Sequence, residues 1–259
     1  MTKYIKGFLD YRFLLVELVK RGINLKYRRS YLGIIWSLIE PLMTTTVLVI
    51  VFGALFNRLS DRTFATYIMC GRLTFSFFST GTKVACHAIR SNASMIKKVY
   101  VPKYFYPLSS ILYNFIICLI SLLVLIPVMI YSHLMPTLRV WKVFPAMFTL
   151  LIVTIGVGVI LCVLDVFFRD VEYLWNVATM IIMYLSAIFY PVERLEKHGL
   201  SWLLNLNPLY CIINLFRGAL MGYSNSLWEF AYPLVFGIFV FTFGFWLLKK
   251  KQDEFILHL

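Results

Sequence analysis

Lys26, Arg28 and Arg29 cluster just before a long apolar run that begins at Leu32. A guanidinium is planar and donates two parallel hydrogen bonds to a phosphate, so this cluster can meet the phosphates of an anionic lipid. Basic residues beside a membrane span also anchor a chain on ordinary anionic lipid, and both readings stay open. Glu40 lies eight residues beyond Leu32, which at 1.5 Å per residue is about 12 Å along a helix. A carboxyl at that depth faces protein or water, not hydrocarbon. It can serve a substrate path or a partner, be protonated, or pair with a neighbouring helix. Pro41 lacks an N–H, frees a carbonyl and should kink the helix there. Arg72 interrupts a second apolar run, where its long stem should carry the guanidinium outward to the interface.

Other chemistry has no signature. There is no GxxxxGK[ST], HExxH or GxSxG, and His87, His133, His198 and His258 are far apart in sequence. An ATPase or hydrolase centre of a known type is therefore missing from the pattern. Cys70, Cys86, Cys118, Cys162 and Cys211 are scattered without CxxC spacing, which fits small buried hydrophobes better than a zinc site or a disulfide framework.

The elements that must position these residues follow from composition. The 259 residues are 61% hydrophobic and 14% charged, with mean hydropathy +0.81. Soluble domains run near 45–50% apolar and about 25% charged. An ordinary water-soluble enzyme, a disordered chain and a coiled coil are excluded. The fold class is an all-α polytopic membrane protein of six transmembrane helices: 32–56, 64–82, 108–132, 143–164, 173–192 and 230–248. Each approaches the roughly 20 residues needed to cross about 30 Å of hydrocarbon, and helices satisfy their own backbone in lipid. Residues 1–31 read as an amphipathic interface helix, 32–248 as the transmembrane domain and 249–259 as a cytoplasmic tail. Residues 191–229 are too short and too polar for two more spans and read as outer re-entrant helices, one of them starting at Pro208.

The +13 net charge has a topological use. Six spans put both termini on one side. Sixteen of the 25 basic residues fall there: those before Leu32, then Arg90, Lys97, Lys98, Lys103, Arg169 and Lys249 to Lys251. The positive-inside bias makes that side cytoplasmic. Insertion through the first span is expected, since no cleavable signal peptide is visible. On this side, 91–107 is short, basic and aromatic. Asn92 or Ser94 can cap a short helix there, suited to a soluble partner or to a plain solvated loop. In the DVFFRDVE turn, Arg169 should pair with Asp165 or Asp170 and tie two spans. Aromatic faces such as Tyr67, Phe75, Phe77, Phe78, Tyr184, Phe189 and Tyr190 can stack on sugar C–H faces, or serve as interfacial belt residues.

Taken together, KYRRSYLGIIWSLIEPL, SMIKKVYVPKYFYPLS, VFFRDVEYLWN, SAIFYPVE and LNPLYCIINLFRGALMG resemble the permease subunits of ABC exporters for bacterial surface polysaccharides. These are the O-antigen, capsule and teichoic-acid transporters. One departure is Thr74-Phe75, where many relatives carry Pro-Trp. The resemblance implies a homodimer bound to two separate ATPase subunits that carry ATP and Mg, with no cofactor, metal or nucleic acid on this chain. It implies a bacterial inner-membrane location and a lipid-linked glycan substrate. Lys26, Arg28, Arg29, Tyr31 and Gly33 would lie where the lipid pyrophosphate is taken up. Trp36, Glu40, Tyr67, Phe75, Phe77, Phe78, Tyr184, Phe189 and Tyr190 would line the path. Ser94, Met95, Ile96, Lys97, Lys98, Val99, Tyr100 and Lys103 would couple to the ATPase. The alternatives are an ABC permease for drugs or lipids, and a membrane-embedded lipid-phosphate transferase.

Overall fold

The computed structural model describes residues 11–98, 101–134, 138–192 and 201–255. The described residues hold helices and no strand: α1 (Arg12–Tyr27), α2 (Trp36–Leu55), α3 (Thr63–Cys86), α4 (Ala88–Ser91), α5 (Ala93–Ile96), α6 (Phe105–Ser121), α7 (Leu125–Tyr131), α8 (Val143–Phe167), α9 (Val171–Leu185), α10 (Ser201–Asn205), α11 (Pro208–Met221) and α12 (Leu227–Lys251). The first ten residues of the expected interface helix, Val99 and Tyr100, and much of the loop before α10 lie outside the described residues.

Among the described residues, four helical stretches are long and apolar enough to cross a membrane: Gly33–Leu55, Phe105–Tyr131, Arg139–Phe167 and Leu227–Lys251. They match the first, third, fourth and sixth expected spans. The third is a composite, because a 3-10 turn at Leu122–Val124 joins α6 to α7. Pro127 has no N–H to give to the carbonyl four residues back, and tighter turns absorb that loss. The second expected span is the long helix α3, whose composition is less apolar because it carries Arg72 and Lys83. The fifth is a shorter helix than expected: α9 ends at Leu185, and Ala187 takes φ +46°. Pro208 does begin α11, at its N1 position, where Asn207 caps the helix by accepting from the Leu209 N–H.

Helix α8 is the hub, packed by α3, α6, α11 and α12. At one point its contact with α12 is backbone to backbone. A Cβ at Gly156 would lie 2.6 Å from the Phe241 nitrogen, and one at Gly244 would lie 2.9 Å from the Gly156 carbonyl oxygen. Small residues of this kind let membrane helices approach backbone to backbone. By contrast, α2 and α9 expose apolar faces, among them Met43, Val47, Ile50, Leu174, Val177 and Ile181.

Contacts define two ends of the bundle. At the proximal end Tyr11 meets Phe105, Phe255 meets Phe167, and Lys103 donates to the Gln252 carbonyl. Both described terminal segments are therefore on one side. At the distal end Ser132 donates to the Arg62 carbonyl, and Arg139 to that of Gly222.

Candidate functional site

A polar cavity of about 460 Å³ opens between the end of α1 and helices α2, α3 and α6. Its lining includes Lys26, Trp36, Glu40 and Phe77 from the sequence-predicted set. They are joined by Arg72 and by a run of hydroxyls and amides: Ser30, Ser37, Thr44, Ser76, Thr80, Asn114 and Ser121. Two cations against one carboxylate give the cavity positive potential. Protein packed around the Lys26 ammonium lowers its pKa by desolvation, and the Glu40 charge pulls the other way. The side chain nevertheless stays open to the cavity.

The local sequence explains why helices this apolar enclose a polar space. Pro41 cannot donate to the Ser37 carbonyl. Ser121 on α6 does so instead, with its Oγ 2.9 Å from that oxygen. The freed carbonyl expected from sequence is thus satisfied by a neighbouring helix. Thr44 Oγ1 donates to the Glu40 carbonyl at 2.8 Å and receives Arg72 Nε at 3.4 Å. This corrects the expectation for Arg72: its guanidinium turns into the cavity, where a hydroxyl accepts it, and does not run outward to the interface.

A tight turn follows α1. Gly33 takes φ +51° and donates its N–H to Ser30 Oγ at 3.1 Å. Arg28, Arg29 and Tyr31 are exposed around this turn, beside the cavity mouth formed by Lys26, Tyr27 and Ser30.

The aromatic set divides. Phe75 and Phe78 belong to the core, with Phe78 edge-on to Trp175. Phe77 is edge-on to Phe115. At the distal end Phe189 stacks on Phe52 with centroids 5.2 Å apart, Tyr184 is exposed, and Tyr190 donates to the Tyr184 carbonyl. Tyr67 donates to the carbonyls of Ala187 and Tyr190.

Arg217 has 0% exposure. Its Nη2 donates to the carbonyls of Ala187 and Ile188 at 3.0 and 3.3 Å, and its Nε to that of Tyr67 at 3.2 Å. The guanidinium carbon lies 3.5 Å from the Tyr67 ring centroid. Gly71 leaves room for it, since a Cβ there would be 2.9 Å from Nη2. Arg217 therefore caps the broken end of α9. Sequence reasoning missed this role; the available signal was a lone arginine inside an apolar, helix-forming stretch.

At the proximal end Asn92 stands at the N-cap position of α5, but its amide donates to the Ala88 carbonyl. Ser94, Lys97 and Lys98 are exposed, while Met95 and Ile96 pack on the core. Lys103 is held by the C-terminal segment, over the Phe255 ring. Burial lowers its pKa, with Asp253 opposing. Arg169 is exposed, and the buried Asp165 pairs with Arg90 and His87. The expected local pairing is corrected, because the partners come from α3 and α4 across the bundle. Cys86, His87 and Asp165 present donor atoms within 4.8 Å of one another, but the Arg90 guanidinium already neutralises that carboxylate.

The chain is 26% identical over 258 residues to the O-antigen export system permease protein RfbA of Klebsiella pneumoniae, covering 98% of both. It is 27% identical over 262 residues to RfbA of Myxococcus xanthus, again covering 98% of both. With the polysialic acid transport protein KpsM of Escherichia coli it shares 22% identity over 259 residues, 96% of this chain and 98% of that one. The family model for ABC-2 type transporters matches residues 14–221, the stretch that contains the cavity, the α5 segment and Arg217. On that match, the chain belongs to the ABC-2 type transporter family.

Proposed function

We propose that this chain is the permease subunit of an ATP-driven exporter, moving a lipid-pyrophosphate-linked surface polysaccharide from the inner to the outer leaflet of the cytoplasmic membrane. The observation that carries this reading is the nearly end-to-end correspondence with permeases named for O-antigen export and polysialic acid transport. The cavity supports it: hydroxyl and amide groups suit a glycan, and Lys26 and Arg72 suit a diphosphate.

In this reading α3 and α9 complete six spans, the proximal end is cytoplasmic, and two copies enclose the path. Two ATPase subunits dock on the α5 segments. Nucleotide drives transport only if it binds the closed arrangement better than the open one. Arg28 and Arg29 gather the lipid diphosphate at the cavity mouth. No bond of the substrate is made or broken by this chain.

The test is co-purification with the partner ATPase, followed by export assay of the lipid-linked glycan. Depletion should leave lipid-linked glycan on the cytoplasmic side. Turnover of a lipid substrate by the purified chain without an ATPase would overturn the reading. Two narrower checks apply. Arg28→Ala with Arg29→Ala should reduce export with assembly intact, and wild-type export would remove both from the uptake site. Cysteine at Ser60 should label from outside and at Lys97 from inside; the reverse pattern would invert the topology.

A further inference from the structure

Three charged groups and a histidine at the proximal end lie outside the cavity. His87 follows α3, Arg90 sits in α4, and Asp165 and Glu172 flank the turn between α8 and α9. Asp165 is fully buried, and neither of its carboxylate oxygens has a hydrogen-bond partner. Its charge is met by Arg90 Nε, 3.4 Å from Oδ2. The other arm of the same guanidinium, Nη2, is 3.4 Å from Glu172 Oε2. Arg90 thus forks between the last turn of α8 and the first turn of α9. His87 holds the fork. Its Nδ1 accepts from Arg90 Nη2 at 3.0 Å, and its Nε2 faces Glu172 Oε1 at 3.3 Å.

Arg90 also sits one turn before α5. The Asn92 amide bonds back to Ala88, so α4 and α5 are linked through a single hydrogen-bonded residue. On the other side of the fork, α9 exposes its apolar face along most of its length. Its inner face is held by Trp175, whose indole N–H donates to Thr82, and its far end by Arg217 and Asn207. The helix is tied at discrete points and loosely packed between them.

We propose that Arg90, positioned by His87, is the tie through which displacement of α5 reaches α9. This rests on the proposed function, since it needs an ATPase docked on α5. A docked ATPase pushes α5 and α4 as a unit, the guanidinium carries Asp165 and Glu172 with it, and α9 swings about its distal anchor. Without Arg90 the ATPase still docks and hydrolyses, but the stroke is not delivered.

The test uses the permease–ATPase complex in phosphatidylethanolamine–phosphatidylglycerol vesicles, with spin labels at Lys98 on the α5 side and Tyr173 on α9. Wild type should show a label distance that changes on ATP binding. Arg90→Ala should abolish that change while co-purification and ATP hydrolysis persist, and glycan exported per ATP should fall on the order of tenfold. Arg90→Lys should recover part of the effect. Glu172→Gln, at a half-exposed site, should weaken it without threatening the fold. A wild-type distance change in Arg90→Ala, or a loss of export matched by loss of assembly, overturns the proposal. If wild type neither binds nor responds to an ATPase, the proposed function fails first.

Discussion

Two arginines pin opposite ends of α9 in opposite ways. Arg217, at the distal end, is wholly buried and makes no ion pair with a carboxylate among the described residues; carbonyl oxygens and a tyrosine face take its charge. Arg90, at the proximal end, is about one-third exposed and forks between two carboxylates. The carbonyl oxygens at this helix break are fixed by the backbone and are held by Arg217 and Tyr67 together, so the first arrangement is a lock. Glu172, on a side chain about one-third exposed, can move with its partner and exchange it for water, so the second can hold through a motion. The difference teaches that one family of contacts can serve as a fixed anchor or as a transmitting joint, depending on what neutralises the charge.

The largest effect should come from breaking the lock. Arg217→Met strips the described donor from the Ile188 carbonyl and a second donor from those of Ala187 and Tyr67, and unfolding in detergent should show a loss of about 2–3 kcal/mol, since each orphaned buried group costs about 1–3 kcal/mol. Arg217→Lys should recover little, because an ammonium cannot replace the planar fork. Asp165→Asn should cost less, about 1–2 kcal/mol, as Glu172 still meets the guanidinium. If the two losses prove equal, the contrast between lock and joint collapses. Tyr67→Phe keeps the ring under Arg217 but removes two hydroxyl contacts, and should cost about 1 kcal/mol. An equal loss from Tyr67→Phe and Arg217→Met would assign the lock to the hydroxyl.

The smallest effect sharpens the comparison with an ordinary surface carboxylate. Asp61, in the distal loop, is buried enough to raise its pKa, but Thr63 and Arg58 outweigh this and lower it. A lowered folded-state value means that its stabilisation is present above the usual aspartate range and fades as pH falls through the lowered one. Asp61→Asn should therefore cost at most about 1 kcal/mol at neutral pH, and nothing in strong acid. A pH-independent loss in unfolding experiments would place the effect in packing, not charge.

The apolar runs and their caps were legible because they are local. Composition and run length located the four long helices, and Asn207-Pro208 marked a helix start that the fold uses. Pairings across the bundle were not. Arg169 looked like the partner of Asp165 because it is four residues away, but the carboxylate points inward to α3 and α4 while Arg169 points out. The break of α9 at Ser186 and Ala187 lies in a stretch whose composition continues the span, and its stabiliser is thirty residues away. Glu40, Lys26 and Arg72 were each noticed alone. That they share one cavity follows from how α1, α2 and α3 pack, which no single stretch encodes.

The backbone contact between α8 and α12 has its own consequence. Sliding between helices normally happens by side chains changing rotamer at the seam. At Gly156 and Gly244 there are no side chains to change. There the helices can shift past one another only if their backbones first part, so this close contact resists sliding in a way that a seam of side chains does not.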